Sequence, residues 1–408
     1  MLSTRGKKLT GILDEPWRAL LDGKTEYDAQ SNPSGLLSLS TAENPLMHEE
    51  LTAYVNSKLQ FDKSVWSYGS SAGGGKKFPA AMAGHINRYF DPYMPVKSSE
   101  VLATNSIPSL NELLAFTLAD EGDGILISRP IYGRFKFDWG TRPGLESIYA
   151  NTEVLEGFTP AAVEKYEEAL LAAKAKGINI RVLIIVNPHN PLGRCYPRET
   201  IVEIFKFCQK HHIHLVSDEI YALSVFDSGE SEAMPFISTL SIDPKGLIDE
   251  NLLHVMYGMS KNNPSGLSLD IAAMILDDEE FVPKYLESSR KQLSASYHFA
   301  TRLLRNHGIQ YLQGSTAGCF LWLDLSRYLP PSTPSNPMSQ KEKELAVAKR
   351  LVEGGVFIHP SEENGMEPGW FRLVYTYSEE TITEGVRRLN NALKSLPWML
   401  VGVGGEKL

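Results

Sequence analysis

Four polar side chains follow apolar runs that predict neighbouring β-strands. Lys261 ends the segment MYGMSK, and Asn190 lies in VNPHNPLG. Asp218 and Tyr221 share the segment VSDEIYA. A lysine amine in a dry pocket has a lowered pKa and can condense with an aldehyde. The carboxylate can hold a pyridine nitrogen protonated, and the amide and phenol can donate to a ring oxygen. Together they predict a site for pyridoxal 5'-phosphate (PLP), with Lys261 as the Schiff-base lysine and proton carrier.

Further residues are predicted to hold the phosphate, the ring face and the substrate. In TNSIPSLNELLAF a helix is expected to begin near residue 109, and Ser106 and Ile107 offer a hydroxyl and a backbone N–H to a phosphate. Tyr132, in SRPIYGRF, is expected to lie against the ring. Arg372, in the strand-like run GWFRLVY, offers a bidentate contact to a substrate carboxylate. Taken singly, such residues are usually solvated lysines, turn asparagines or core tyrosines, so the prediction depends on their combination.

The elements around these residues predict an α/β fold. Strand-like apolar runs occur at residues 100–104, 124–128, 146–150, 181–186, 214–218, 252–257 and 271–276, with helical stretches at 109–119, 159–175 and 198–210. We expect a large domain with a mostly parallel seven-stranded sheet sandwiched by helices, plus a smaller α+β domain. Ligands bind outside the carboxyl ends of the strands in such sheets, which is where Asn190, Asp218 and Lys261 fall.

The pattern changes after residue 277, where a long helical region at 279–307 precedes short strands and two further helices. The predicted division is an N-terminal segment, 1–55, that joins the small domain, a PLP-binding domain, 56–295, and a small C-terminal domain, 296–408.

Composition favours a soluble cytoplasmic enzyme. The 408 residues carry a net charge of −9, which argues against binding to nucleic acid or an anionic membrane. No apolar run approaches a membrane span, and the N-terminus lacks a secretory pattern. The three cysteines show no paired spacing, and KHHIH (210–214) has no adjacent acidic partner, so neither disulfides nor a metal site is predicted.

The order Asn190, Asp218, Tyr221, Lys261 and Arg372 resembles that of fold type I PLP enzymes of the aspartate aminotransferase superfamily. AEN at 42–44, WSYGSS at 66–71, NPHNPLG, SDEIYA and GWFRL resemble the 1-aminocyclopropane-1-carboxylate (ACC) synthase branch over roughly residues 1–395. The chain is similar to fungal ACC-synthase-like proteins. These include carbon–sulfur lyases of gliotoxin-type secondary metabolism.

This resemblance implies the same roles for the residues named above and adds four more. Ser260 would bind the cofactor beside Lys261, and Tyr68 would reach the cofactor phosphate of the partner subunit. A homodimer with shared active sites follows from that contact. Glu43 and Asn44 would face an amino-acid-like substrate.

The chain departs from the family pattern around the phosphate. The family has an arginine eight residues after the lysine, whereas SKNNPSGLSLDI has Ser268 or Leu269 there and Asp270 near an expected glycine. Ser106 also replaces a glycine, and Gly258 stands where a hydroxyl is common. Loss of a guanidinium–phosphate contact predicts weaker PLP retention, unless another cation substitutes, with Lys76, Lys77 and Arg134 as candidates.

Three functions fit these residues. The first is a PLP-dependent lyase that eliminates a β or γ leaving group, with carbon–sulfur cleavage as the expected reaction. The second is an aminotransferase, which would use the same side chains. The third is a degenerate relative that binds a ligand without catalysis, as the altered phosphate segment suggests.

Overall fold

The computed structural model of the chain describes residues 1–10, 15–60, 77–230, 232–258, 266–332, 337–361 and 367–400. The strands in these ranges are β1 Leu37–Ser38, β2 Gly124–Ile127, β3 Glu146–Tyr149, β4 Ile180–Val186, β5 His214–Asp218, β6 Leu253–Met256, β7 Gln310–Tyr311, β8 Phe320–Asp324, β9 Val356–Phe357, β10 His359–Pro360 and β11 Trp370–Val374. The helices are α1 Thr4–Leu9, α2 His48–Lys58, α3 Lys77–Tyr89, α4 Ile107–Leu118, α5 Phe135–Asp138, α6 Ala162–Ala175, α7 Arg198–His211, α8 Gly266–Asp277, α9 Phe281–Asn306, α10 Gln340–Glu353, α11 Glu379–Lys394 and α12 Pro397–Leu400. None of the helices within the described ranges is long and apolar enough to cross a membrane.

The central sheet is parallel and has the strand order β3-β2-β4-β5-β6. The central strand β4 shows that helices cover both faces of the sheet. Its side chains Val182, Ile184 and Val186 share one apolar cluster with residues of α4 and α5. Leu183 and Ile185 share another with residues of α6 and α7. Because successive side chains of a strand point to opposite faces, the sheet lies between two helical layers.

The predicted α/β class is confirmed, but the predicted count of seven strands is wrong for the described part of the chain, where the sheet has five. Residues 271–276 lie inside α8, because a short apolar run cannot be distinguished from a buried helical segment by periodicity. Residues 100–104 form no strand. There, Glu100 closes a 3₁₀ turn by accepting the Lys97 N–H at 2.8 Å.

A second, antiparallel sheet has the order β10-β11-β8-β7 and carries Arg372 on β11, opposite Trp322. Its core includes apolar residues of α9, α10 and α11. The N-terminal strand β1 pairs with β9 nearby, in parallel. The predicted domain limits stay a prediction, and residue 295 falls inside α9.

Candidate cofactor and substrate site

The carboxyl ends of β4 and β5 lie side by side, because the strands are parallel and Val186 pairs with Asp218. The Asn187 N–H donates to the Asp218 carbonyl at 2.8 Å. Asn190 lies three residues beyond Asn187 and is buried. The chain order therefore brings the predicted amide and carboxylate to one edge of the sheet.

Arg372 comes to this edge from the other sheet. Its Nη1 donates to Asn190 Oδ1 at 3.1 Å, and its Nη2 donates to the Ser40 carbonyl at 2.8 Å. Its Cζ lies 5.6 Å from the centre of the Phe320 ring. The side chain is buried, and its Nε has no hydrogen-bond partner among the described residues. A buried guanidinium with an unused donor and neutral contacts fits a carboxylate ligand.

Tyr221 packs against Phe320, the aromatic ring near Arg372. Its ring is perpendicular to that of Phe320, with the ring centres 5.3 Å apart. Burial raises the pKa of Tyr221 well above its ordinary value, with Cys319 acting in the same direction and the Arg372 guanidinium against it. Asp218 also acts on the pKa of the phenol. The hydroxyl therefore keeps its proton and can donate a hydrogen bond.

Asp218 is the candidate partner for the ring nitrogen. Its side chain is buried, with 4% of the residue exposed, and its Oδ1 accepts the Ile220 N–H at 3.2 Å. Burial raises the pKa of Asp218 to about 7, against the hydrogen bond from Ile220, and Glu219 and Asp138 raise it further. A protonated pyridine nitrogen would supply the positive charge that this carboxylate needs. The donor set therefore fits PLP, with Asp218 at the ring nitrogen.

The predicted phosphate contacts lie at the start of α4. Ser106 is the N-cap, and its Oγ accepts the Ser109 N–H at 3.4 Å. The Thr104 hydroxyl donates to the Ser106 carbonyl at 3.1 Å, which holds the turn before the helix. A side-chain carbon added at Gly258 would meet Ile107 Cδ1 at 3.5 Å. The chain therefore passes beside this helix end three residues before Lys261.

Tyr132 precedes α5, and its ring is perpendicular to that of Phe135 at 5.3 Å between centres. It lies close enough to Tyr221 to raise the pKa of that phenol slightly, and its position beside the cofactor ring stays a prediction. Arg134, a candidate replacement for the missing arginine, lies directly before α5, with its Cζ 5.3 Å from the Phe137 ring centre. Lys77 is the first residue of α3.

Several predicted residues lie outside the described residues, and their roles stay predictions. They are Tyr68, Lys76, Ser260 and Lys261. The altered segment at residues 268–270 belongs to α8.

The N-terminal segment borders the arginine. The Val374 N–H donates to the Leu39 carbonyl at 2.8 Å, and the Thr376 hydroxyl donates to the Glu43 carbonyl. Glu43 itself is exposed. Asn44 Oδ1 accepts the Leu46 N–H at 3.3 Å, so this side chain caps the following turn.

The structure adds site residues that sequence analysis missed. Ser40 contributes only a carbonyl, which carries no residue-type signal. Phe320 lies in an apolar run whose sequence predicts a strand but not the neighbouring arginine. Asp138 lies six residues beyond Tyr132, and the α5 turn that brings it near Asp218 has no distinctive motif.

Comparison with known proteins agrees with this geometry. The model of the family "Aminotransferase class I and II" matches residues 34–265 and 263–389. The chain is 29% identical to the ACC synthase-like protein 1 of Bos taurus over 416 residues, which cover 92% of this chain and 80% of the relative. It is also 29% identical over 401 residues to the probable aminotransferase tcpI of Claviceps purpurea, covering 88% and 90% of the two chains.

Among solved structures, the aspartate aminotransferase from Thermus thermophilus with maleate has the same fold. The TM-score is 0.71 at 18% identity, and the match covers 96% of this chain and 99% of the other. The predicted resemblance, fold class and cofactor are confirmed. The chain belongs to the aminotransferase class I and II family of PLP-dependent enzymes.

Proposed function

We propose that this enzyme is a PLP-dependent lyase that cleaves a carbon–sulfur bond in an amino-acid-like substrate. The observation that carries the proposal is the contact between Arg372 and the Ser40 carbonyl. Ser40 belongs to the segment that leads to Glu43, and the Thr376 hydroxyl holds that segment from the strand side. The backbone of Glu43 is thereby fixed next to the end of β11, the strand that carries Arg372. The ACC synthase-like relative supports the same interpretation.

In this proposal each protein group has one task. Arg372 binds the substrate carboxylate, and the Asn190 and Tyr221 donors orient the cofactor oxygen. Asp218 keeps the ring nitrogen protonated. Bound PLP supplies the electron sink for negative charge at the substrate α-carbon. The Lys261 amine takes the α-proton, the carbon–sulfur bond breaks with its electron pair leaving on sulfur, and Lys261 returns a proton to give the thiol.

The test is incubation of the PLP-loaded enzyme with a panel of thioether amino acids, including a cysteine conjugate. We expect release of thiol and, once water hydrolyses the unsaturated amine that elimination leaves, release of ammonia and a keto acid of the pyruvate type. Lys261→Ala should abolish all three products, while circular dichroism shows an unchanged fold. Absence of thiol release from every thioether would refute the lyase proposal.

An aminotransferase is the second candidate, and the relative from Claviceps purpurea favours it by its description. The same residues would return the amino group to a keto acid instead of expelling sulfur. An amino donor would then convert the bound cofactor to its amine form, with loss of visible absorbance. Recovery of that absorbance with a keto acid, without thiol release, would decide for transamination.

A non-catalytic relative is the third candidate, on the basis of the altered phosphate segment. Its distinguishing measurement is cofactor content. Purified protein that carries near-stoichiometric PLP and loses it in Lys261→Ala would argue against this candidate.

We also propose a homodimer with shared active sites. Leu102, Leu113 and Phe116 are each at least half exposed, and the last two lie on α4, whose first turn is the predicted phosphate site. Large exposed apolar side chains next to a site that expects Tyr68 from a second subunit fit a subunit interface. Light scattering should give twice the chain mass, and Phe116→Glu should halve it. A monomeric wild type with full PLP content would refute the shared site.

We place the enzyme in the cytoplasm. Cys195, Cys208 and Cys319 are free and buried, which suits a reducing compartment. Fractionation of cells that express the tagged full chain tests this location.

A further inference from the structure

Glu219, directly after Asp218, is completely buried, with 0% of the residue exposed. Its Oε1 accepts the Ser217 hydroxyl at 3.0 Å, the Thr239 N–H at 2.9 Å and the Thr239 hydroxyl at 2.8 Å. Its Oε2 accepts the Ser238 hydroxyl at 2.6 Å. A buried carboxyl with this many donors has an unusual environment, since carboxyls are rarely so deeply enclosed unless paired.

The donors indicate that Glu219 is ionised. A backbone N–H can only donate, and the Ser238 Oγ already accepts the Leu240 N–H at 3.1 Å, which directs its proton towards Glu219. Burial is the larger influence and raises the pKa of Glu219 above its ordinary value, whereas the hydrogen bonds from Ser238, Thr239 and Ser217 oppose that rise by favouring the ionised form. An ionised carboxylate uses all of these donors, whereas a protonated carboxyl would bring its own donor into a site that offers donors.

The charge of Glu219 acts on Asp218. Both carboxylates lie at the end of β5, and Glu219 opposes the ionisation of Asp218. Asp138, from α5, has the same effect on Asp218. Burial raises the pKa of Asp138 above its ordinary value, whereas the hydrogen bond that the Asn111 amide donates to it at 3.1 Å and the nearby Arg134 guanidinium act in the opposite direction. Among the described residues, Tyr221 also interacts with Asp218, and its phenol is uncharged. Asp138 thus has a guanidinium nearby, whereas the negative charge of Glu219 is stabilised by neutral hydrogen-bond donors.

Two adjacent buried carboxylates stabilise a positive charge on a ligand atom that lies next to Asp218. We propose that Glu219 is a positioning residue that, through Asp218, keeps the proton on the ring nitrogen of the bound cofactor. This inference rests on the role proposed above for Asp218. The negative charge of Glu219 stabilises the protonated ring relative to the neutral ring, and its hydrogen bonds fix the charge behind Asp218.

A purely structural role makes a different prediction. Glu219 also anchors the segment at residues 237–239. The Asn187 side-chain amide donates a hydrogen bond to the Ile237 carbonyl of the same segment at 2.9 Å. The Ser241 hydroxyl holds the same segment at the Ser238 carbonyl at 2.8 Å and does not contact Glu219. Ser241→Ala therefore loosens the segment and leaves the charge, whereas Glu219→Gln removes the charge and keeps the side-chain size.

The experiment uses the full chain loaded with PLP and measures, by ¹⁵N NMR of ring-labelled cofactor, the pH at which the ring nitrogen loses its proton. We expect Glu219→Gln to lower this midpoint by about one pH unit and to weaken PLP binding about tenfold, as loss of one nearby charge requires. Glu219→Asp, which keeps the charge, should restore the wild-type midpoint. Ser241→Ala should lower the melting temperature without moving the midpoint.

An unchanged midpoint in Glu219→Gln, or an equal shift in Ser241→Ala, would overturn the inference. Should Glu219→Gln fail to fold, Thr239→Val decides. This variant keeps the side-chain shape and removes one donor to the carboxylate, so a smaller shift in the same direction supports the proposal and no shift overturns it.

Asp218→Asn separates the role proposed for Asp218 from the role proposed for Glu219. If Asp218→Asn leaves the pH midpoint and the PLP affinity unchanged, the role of Asp218 fails. If it lowers the midpoint and weakens PLP binding while Glu219→Gln does neither, only the role of Glu219 fails.

Discussion

Replacing Asp218 by asparagine should stabilise the PLP-free protein, although it damages the cofactor site. The pKa of Asp218 is about 7 in the folded chain and 3.8 ordinarily. Between these values the folded protein holds a proton that the unfolded chain has lost, so stability decreases as pH rises. Above pH 7 the carboxylate is ionised in both states, and the full cost of burying the charge remains. Asparagine cannot ionise, and its amide oxygen can still accept the Ile220 N–H.

The size of the effect follows from the two pKa values. A difference of about three pKa units at about 1.4 kcal/mol each gives an upper value of about 4 kcal/mol. Asp218→Asn should therefore unfold with a free energy about 4 kcal/mol higher than the wild type at pH 8. The advantage should be about 3 kcal/mol smaller at pH 5, because the wild-type carboxyl is protonated there.

The measurement is denaturant unfolding of the PLP-free chain at pH 5, 6, 7 and 8, followed by tryptophan fluorescence. Asp249→Asn is the matched control, because the pKa of Asp249 is shifted in the opposite direction to that of Asp218. Hydrogen bonds from the Asn251 backbone and side chain lower the pKa of Asp249, so this carboxylate stabilises the fold above its unfolded pKa and loses that effect as pH falls. Its asparagine variant should not gain stability at pH 8. A stability difference between Asp218→Asn and wild type that is the same at pH 5 and pH 8 would refute the buried, ionisable state assigned to Asp218.

Three other changes, the first with a control variant, test the remaining contacts. Arg372→Lys should raise KM for the amino-acid substrate roughly 10- to 100-fold, because lysine cannot make the bidentate contact. In contrast, Arg388→Lys, at a buried arginine whose Nη atoms donate to three backbone carbonyls, should lower the melting temperature and leave KM unchanged. Tyr221→Phe should raise the pH midpoint of the cofactor absorbance by about one unit, since it removes a donor to the ring oxygen. Ser106→Ala should weaken PLP binding about fivefold in equilibrium dialysis, as loss of a cap hydroxyl at a helix start predicts.

The parallel sheet and the residues at its edge were predictable because their signals are local. The runs that form β4 and β5 are continuous and apolar, and their parallel pairing brings the segments that carry Asn190 and Asp218 to the same edge of the sheet. The helices α4, α6 and α7 differ from the predicted ranges by three residues or fewer at each end. Their apolar spacing and their length exceed what a strand would show.

The remaining features depend on contacts distant in sequence. Asn190 and Arg372 are 182 positions apart, and their contact requires two sheets to meet. Glu219 receives its donors from Ser238 and Thr239, in an irregular segment without periodicity. The run at 271–276 was assigned to a strand from its composition, and only its packing context could assign it to α8.

The side chain of Asn190 contacts the buried arginine of the site. Asn190 Oδ1 accepts the Arg372 Nη1 proton, so its Nδ2 is the end left to donate to the cofactor oxygen. In the proposed function, a substrate carboxylate on the guanidinium would withdraw part of the donor strength that Asn190 receives, and would thereby change the hydrogen bond that the amide gives in turn. Asp218 and Glu219 would act on the ring nitrogen, so the first effect of substrate binding would fall on the ring oxygen.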